Sequence, residues 1–170
     1  GRVTPCPRFP ALLRTGDRHA FMTLCYGLLD PGTGDLDLAL AGHPFPLLRR
    51  RSGEVVEIGR GSLPLGIRDR LEPFVESLRL DPGDLLAIVT DGLPEALDGD
   101  GCAFGFDRTR LAVAGGGGAA AVHDRLLAEV AAFSGERPPD DDRSLLVLAR
   151  LAPAPPPLPL PAASDDPCPP

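Results

Sequence analysis

The chain has no lysine. Its positive charge rests on 17 arginines against 24 aspartates and glutamates, which leaves a net charge of -7. That deficit excludes nucleic acid as an expected partner, because binding to phosphate backbones needs clustered cationic side chains. The four cysteines, Cys6, Cys25, Cys102 and Cys168, are widely separated and show no Cys-x-x-Cys spacing. Neither a zinc site nor a dithiol redox motif is expected from them. No stretch approaches about eighteen uninterrupted apolar residues, so no membrane-spanning helix is expected. The first residues lack the charged-then-apolar order of a secretory signal. A reduced, cytoplasmic setting is the expectation.

Two further absences remove tempting motifs. Asp98-Gly99-Asp100-Gly101 alternates acid with glycine, but the later ligands and the closing Glu of a calcium loop are missing. It reads as a tight loop. Gly115 to Gly118 is not followed by Lys-Ser/Thr, so it is a link and not a phosphate-binding loop.

What is abundant is proline and glycine, 21 and 20 of 170 residues, with the prolines crowded into the two ends. The length suits one domain with a substantial core. Residues 1–20 read as an irregular lead-in, residues 21–151 as the domain, and residues 152–170 as a Pro/Ala-rich tail with nothing to bury, expected to be disordered. The first residue is Gly1, which suggests a fragment of a longer protein.

Within the domain the strand signals come first. Phe21 to Leu29 is rich in strand formers, and after Asp-Pro-Gly-Thr-Gly-Asp the residues Leu36, Leu38 and Leu40 alternate with Asp37 and Ala39, a hairpin with one face buried. Pro46 to Arg50, Glu54 to Ile58 and Phe74 to Leu80 are further extended segments. Hairpin-length links between them favour antiparallel pairing. Leu85 to Val89 is an apolar run bounded by turns, the pattern of a strand buried on both faces. The later part is helical: one short turn over Leu93 to Leu97, a helix over Phe106 to Val113, and a stronger one over Ala119 to Phe133. That last helix sets Val122, Leu126, Leu127, Val130 and Phe133 on one stripe, with His123 at its boundary. Ser144 to Leu151 is a last buried strand.

Two acidic groups stand at strand ends. Asp91 follows the central strand in Thr90-Asp91-Gly92, with Glu95 close behind, and Asp140-Asp141-Asp142 leads into the last strand. Taken alone, the first reads as a turn and the second as a solvated charge run. Taken together, carboxylates gathered at one point repel and are tolerated when protonated, solvated or neutralised by a cation. Oxygen-only ligands suit Mg²⁺ or Mn²⁺ better than zinc.

The ordered motifs carry a resemblance. Phe21-Met-Thr-Leu-Cys-Tyr-Gly-Leu-Leu-Asp30, Ala41-Gly-His-Pro44, Leu63-Pro-Leu-Gly66, Pro82-Gly-Asp-Leu-Leu86, Thr90-Asp-Gly-Leu-Pro-Glu95, Phe104-Gly105 and Asp141-Asp-Arg-Ser-Leu-Leu-Val147 together resemble the SpoIIE/RsbU-like branch of the PPM-type metal-dependent serine/threonine protein phosphatases. The resemblance covers Phe21 to Leu151. It implies an α+β fold, an antiparallel two-sheet sandwich flanked by helices, with two Mn²⁺ or Mg²⁺ ions at the sheet ends. It also implies hydrolysis of phosphoserine or phosphothreonine by a metal-bound water, without a phosphoenzyme. By motif, Asp91 and Asp141 match metal ligands, and Glu95 matches an additional, weaker one. Asp142 and Gly92 would stand behind them, and His43 would shape the sheet edge. The implied substrate is a phosphorylated bacterial regulatory protein resembling an anti-anti-sigma factor, and a dimer is conceivable.

One family feature is not found. The Asp-x-x-Gly-His-Gly motif, whose Asp bridges both ions, has no counterpart before Phe21, and Gly16-Asp17-Arg18-His19 has the wrong order. Asp91 and Asp141 would serve one ion while the second loses its bridge, so this chain by itself is expected to be inactive or nearly so. Two explanations stay open: a longer parent protein that carries the missing strands, or a catalytically dead module that binds the phosphatase's usual partner. Either way a sheet edge and an apolar face should be left uncovered.

Overall fold

The computed structural model describes residues 21–67 and 74–151. The expected lead-in over 1–20 and tail over 152–170 lie outside the described residues. Seven strands and two helices follow in the order β1 (Leu24–Leu29), β2 (Asp35–Ala41), β3 (Leu47–Arg49), β4 (Val55–Glu57), β5 (Phe74–Arg79), β6 (Leu85–Val89), α1 (Phe106–Ala114), α2 (Ala119–Ser134) and β7 (Leu145–Ala149). The strands form two antiparallel sheets, β1-β2-β5 and β4-β3-β6-β7. The result is the α+β sandwich of two antiparallel sheets that the family resemblance implied.

Local chemistry explains the elements. In the β1–β2 hairpin, Asp30 accepts the N–H groups of Gly32 and Thr33 at 2.8 and 3.2 Å, and Gly34 supplies the positive φ of 82° that closes the turn. The leucines of β2 then point inward. With Leu48, Ile58, Leu80 and Leu86 they form the core between the sheets, where Cys25 packs half-buried. The other face of the second sheet is covered by helices, α1 over β3 and β4 and α2 over β7. Leu47, Leu85, Ala87, Val113 and Val122 fill that layer.

Three features differ from the sequence reading. The strands β5 and β6, joined by the short Asp81–Asp84 turn, do not pair with each other. They lie in opposite sheets, and β5 pairs instead with β2. The crossing is held by Asp84, only 2% exposed. It accepts from the Arg50 guanidinium at 2.7 Å and from the N–H groups of Arg51 and Asp81 at 2.9 and 3.0 Å. Secondly, Leu127 is not on the buried stripe of α2. It is 40% exposed, and Ser134 takes the place at the end of the stripe after Val122, Leu126 and Val130. Positions at i, i+4 and i+8 stay on the packed side, whereas Leu127 is rotated a further 100° around the helix. Thirdly, β1 starts at Leu24, short of Phe21; Phe21 is 66% exposed, and Met22 is held by a single bridge to Leu65.

Candidate metal centre at the sheet ends

The acidic loops lie at one end of the second sheet because of its register. Leu47 pairs with Ala87, and Val89 pairs with Leu145. Continued by two residues, β6 delivers Asp91 between the entry to β7 on one side and the His43-Pro44 approach to β3 on the other.

The two loops are in direct contact. The Thr90 N–H donates to the Ser144 carbonyl at 3.1 Å, and the Thr90 hydroxyl accepts the Ser144 N–H at 2.8 Å. The same hydroxyl lies 3.3 Å from the Asp142 carbonyl. Gly92 is buried against the second loop: a Cβ at this position would sit 2.4 Å from the Asp142 carbonyl oxygen and 3.4 Å from that of Asp141. Only a residue without a side chain lets the backbones approach so closely.

This contact brings Asp91 and Asp141 to the same end of the sheet, both exposed. Each carboxylate accepts one neighbouring backbone N–H, from Gly92 at 3.1 Å and from Asp142 at 2.7 Å. Further acceptor positions on both carboxylates stay open, since an ionised carboxylate offers about four lone-pair sites. Asp140, by contrast, is paired with Arg137 at 3.1 Å. Glu95 stands on the same turn as Asp91, its N–H bonded to the Asp91 carbonyl at 2.9 Å, and is exposed. Leu93 to Leu97 make no helix beyond that single turn, because the Pro94 and Ala96 carbonyls are taken by the N–H groups of Gly105 and Phe104 at 2.7 and 2.8 Å. Asp142 contributes its backbone to the contact with Thr90.

His43 is half-buried, with Nδ1 2.7 Å from the Pro44 carbonyl. It lines a cavity of about 430 Å³ with Phe45, Glu57, Val89 and Phe106. The ring lies where the chain passes from β2 to β3, both inner strands of their sheets, and so not at a sheet edge. Asp98 accepts the N–H groups of Asp100 and Cys102 at 3.0 and 2.8 Å, so that carboxylate closes its own turn.

Sequence reading missed the strap role of Thr90 and Ser144. The available signal was a hydroxyl residue leaving one strand directly before Asp-Gly, opposite a hydroxyl residue entering the other. It also missed Arg143, whose guanidinium reaches the Ser134 hydroxyl at 3.5 Å on α2 and ties the acidic loop to the helix end.

Oxygen-only donors on abutting loops are suited to a hard divalent cation that keeps several waters. Among the described residues no three His, Cys, Asp or Glu side chains converge as a metal-holding group. The donor set therefore fits part of one ion's shell and not a two-ion centre.

The family model for Stage II sporulation protein E (SpoIIE) matches residues 9–151, starting twelve residues before Phe21. Protein IcfG of Synechocystis is 30% identical over 81 residues, 48% of this chain and 13% of that protein. The structure of the PP2C phosphatase domain with a fragment of the regulatory domain of SpoIIE from Bacillus subtilis superposes with a TM-score of 0.66 at 22% identity, covering 81% of this chain and 41% of that one. The RsbU and RsbW domains of Rv1364c from Mycobacterium tuberculosis give a TM-score of 0.58 at 29% identity, covering 78% and 37%. The chain thus spans well under two thirds of each of these relatives. A structure of the phosphatase domain of SpoIIE from Bacillus subtilis described as Mn presoaked superposes with a TM-score of 0.62 at 20% identity, covering 78% of this chain and 58% of that one. With its antiparallel sandwich and its Thr-Asp-Gly and Asp-Asp loops at one sheet end, the chain belongs to the SpoIIE family and carries a PPM-type phosphatase domain of the SpoIIE/RsbU type.

Proposed function

We propose that the complete protein hydrolyses phosphoserine or phosphothreonine on a cytoplasmic bacterial regulatory protein resembling an anti-anti-sigma factor, with Mn²⁺ or Mg²⁺ as cofactor. The observation that carries this reading is the contact between the Thr90-Asp91-Gly92 loop and the Asp141-Asp142 loop, which sets two open carboxylates at one sheet end. Bound divalent ions would supply Lewis-acid activation of water near neutral pH. In this reading Asp91 and Asp141 are the oxygen donors, and Glu95 is an additional, weaker one. Gly92, Thr90 and the Asp142 backbone hold the donors in register, and His43 shapes the neighbouring passage from β2 to β3. The complete domain takes two ions.

The described residues provide half of that donor set, so the chain by itself is expected to turn over slowly or not at all. The test is hydrolysis of an aryl phosphate by the chain with millimolar Mn²⁺, beside Asp91→Ala. Turnover lost in the variant would establish a complete site; measurable turnover equal in both would sink the assignment of Asp91, and no turnover in either is the outcome expected of the half-site.

A second reading is supported by the absence of a converging three-ligand group among the described residues: a phosphatase-fold module that binds the phosphorylated partner without hydrolysing it. Retention of a phosphorylated regulatory protein on the immobilised chain, with no phosphate released in Mn²⁺, would distinguish it from the enzyme.

A further inference from the structure

We infer that the cavity between the start of α1 and the β3–β4 end of the second sheet takes an apolar side chain of the phosphoprotein substrate, with Glu57 at its rim reading a basic residue beside it. This rests on the phosphatase reading and names what the substrate presents next to its phosphorylated residue. The cavity measures about 430 Å³ and is lined from β3 and the approach to it, β4, β6 and α1.

Its floor is apolar. Leu47 and Val89 are 5% and 2% exposed and turn to the helix layer, Leu47 beside Val113 and Val122, Val89 beside Phe104 and Ala112. Thr109 is buried with them, and its hydroxyl donates to the Gly105 carbonyl at 3.0 Å. Its hydrogen-bonding demand is thus met inside α1, and the floor suits an apolar occupant better than a charged one. Phe106 lines the same space and is 53% exposed. A space of this size with an aromatic ring and few polar groups has the make-up of a ligand site.

The rim is acidic. Glu57 lies directly opposite Leu47 in the β3–β4 ladder, and opposed residues share one face of a sheet, so it stands on the helix side as well. It is exposed and forms no ion pair among the described residues. An unpaired carboxylate on a chain of net charge -7 favours a cationic neighbour on the partner.

Position ties the cavity to the candidate metal centre. Val89 stands two residues before Asp91, about 7 Å along the chain. His43 and Pro44, on the β3 side of Asp91, line the cavity too. An extended peptide advances about 3.3 Å per residue, so a phosphoserine held at Asp91 and Asp141 sets a side chain roughly two to four residues away over the cavity.

The test is fluorescence polarisation of labelled phosphoserine peptides with the full chain in millimolar Mn²⁺. Each peptide carries one Leu-Arg pair in a Gly/Ala background, placed roughly two to four residues to either side of the phosphoserine. In one placement the peptide should bind at least about tenfold tighter than the same peptide with alanine for leucine. Phe106→Ala should abolish that advantage, and Glu57→Lys should move the preference from arginine to glutamate beside the leucine. Both side chains are exposed, and a folded circular dichroism spectrum makes each result count. Asp91→Ala should remove the gain from the phosphate and keep the gain from leucine. Phosphopeptides bound without regard to leucine, arginine or Phe106 would overturn the proposal and leave the phosphatase reading standing. Leucine-dependent binding that Phe106→Ala abolishes but that ignores both phosphate and Asp91→Ala would overturn the phosphatase reading, and with it the substrate as occupant. No binding by any peptide would overturn the assignment of the cavity.

Discussion

Replacing Gly92 by Ala tests the contact on which the candidate site depends. Gly92 is not among the glycines with positive φ, so alanine introduces no backbone strain of its own and the effect is steric. The new methyl would meet the Asp142 carbonyl oxygen at 2.4 Å and its carbon at 3.1 Å, where ordinary contact begins near 3.4 Å. The obstructing atoms are backbone, so relief requires the two loops to part by about 1 Å, against the Thr90–Ser144 strap. Overpacking of this kind costs about 1–3 kcal/mol. For a domain of this size that lowers Tm by roughly 3–9 °C. Thermal unfolding by circular dichroism gives the stability, and Mn²⁺ titration gives the effect on the site, which should weaken because the two carboxylates move apart. A variant as stable as the parent that binds Mn²⁺ equally well would refute the close approach as the positioning device.

Three further outcomes follow from the same contacts. Thr90→Val keeps the shape but deletes the hydroxyl that accepts from Ser144 at 2.8 Å; a loss of about 1–2 kcal/mol in urea unfolding is expected, with weaker Mn²⁺ binding. Burial pushes the Asp84 carboxyl up, but the Arg50 guanidinium and the Asp81 and Arg51 N–H groups outweigh it and hold it below its usual value. A carboxyl depressed in the folded state contributes stability that is full above its unfolded pKa of about 3.9 and is lost as pH falls through the folded value. Asp84→Asn should therefore cost about 1–3 kcal/mol at pH 7 and flatten the acid limb of the stability profile below about pH 4; an unchanged acid limb would count against the depressed carboxyl. Leu126→Ala, at a fully buried position in the cluster of Val89, Leu93 and Val130, should cost about 2–5 kcal/mol in the same assay, against under about 0.5 kcal/mol for the exposed Asp124→Ala.

What could be read in the sequence was local and periodic. The alternation in β2, the apolar run of β6 and the i, i+4, i+8 stripe of α2 each reflect one face meeting one core, so spacing was enough to locate them. The acidic loops were legible as strand ends for the same reason. What spacing could not show was which strands pair across long separations: the Asp81–Asp84 link has a hairpin's length, yet it carries the chain from one sheet to the other around a buried carboxylate. Nor could it show arginines that act on backbone far away. Arg49 donates to the carbonyls of Val113, at 3.0 Å, and of Gly117, and Arg150 gathers those of Gly32, Thr33 and Leu80. Such bonds read carbonyls, which every residue has, and leave no residue-type signal at the receiving end. Leu127 failed for a related reason: periodicity locates an apolar side chain on a flank but does not say whether the neighbouring element extends far enough to cover it.

The most direct measurement of the central claim is the stoichiometry of Mn²⁺ binding to this chain, followed by the electron paramagnetic resonance of free Mn²⁺ in equilibrium with the protein. Two abutting carboxylate loops, with no bridging acid among the described residues, give one ion per chain, held through Asp91 and Asp141, and its loss in both Asp91→Ala and Asp141→Ala while Asp98→Ala still binds. Two ions per chain, or one ion that survives both substitutions, would contradict the half-site and place the metal elsewhere.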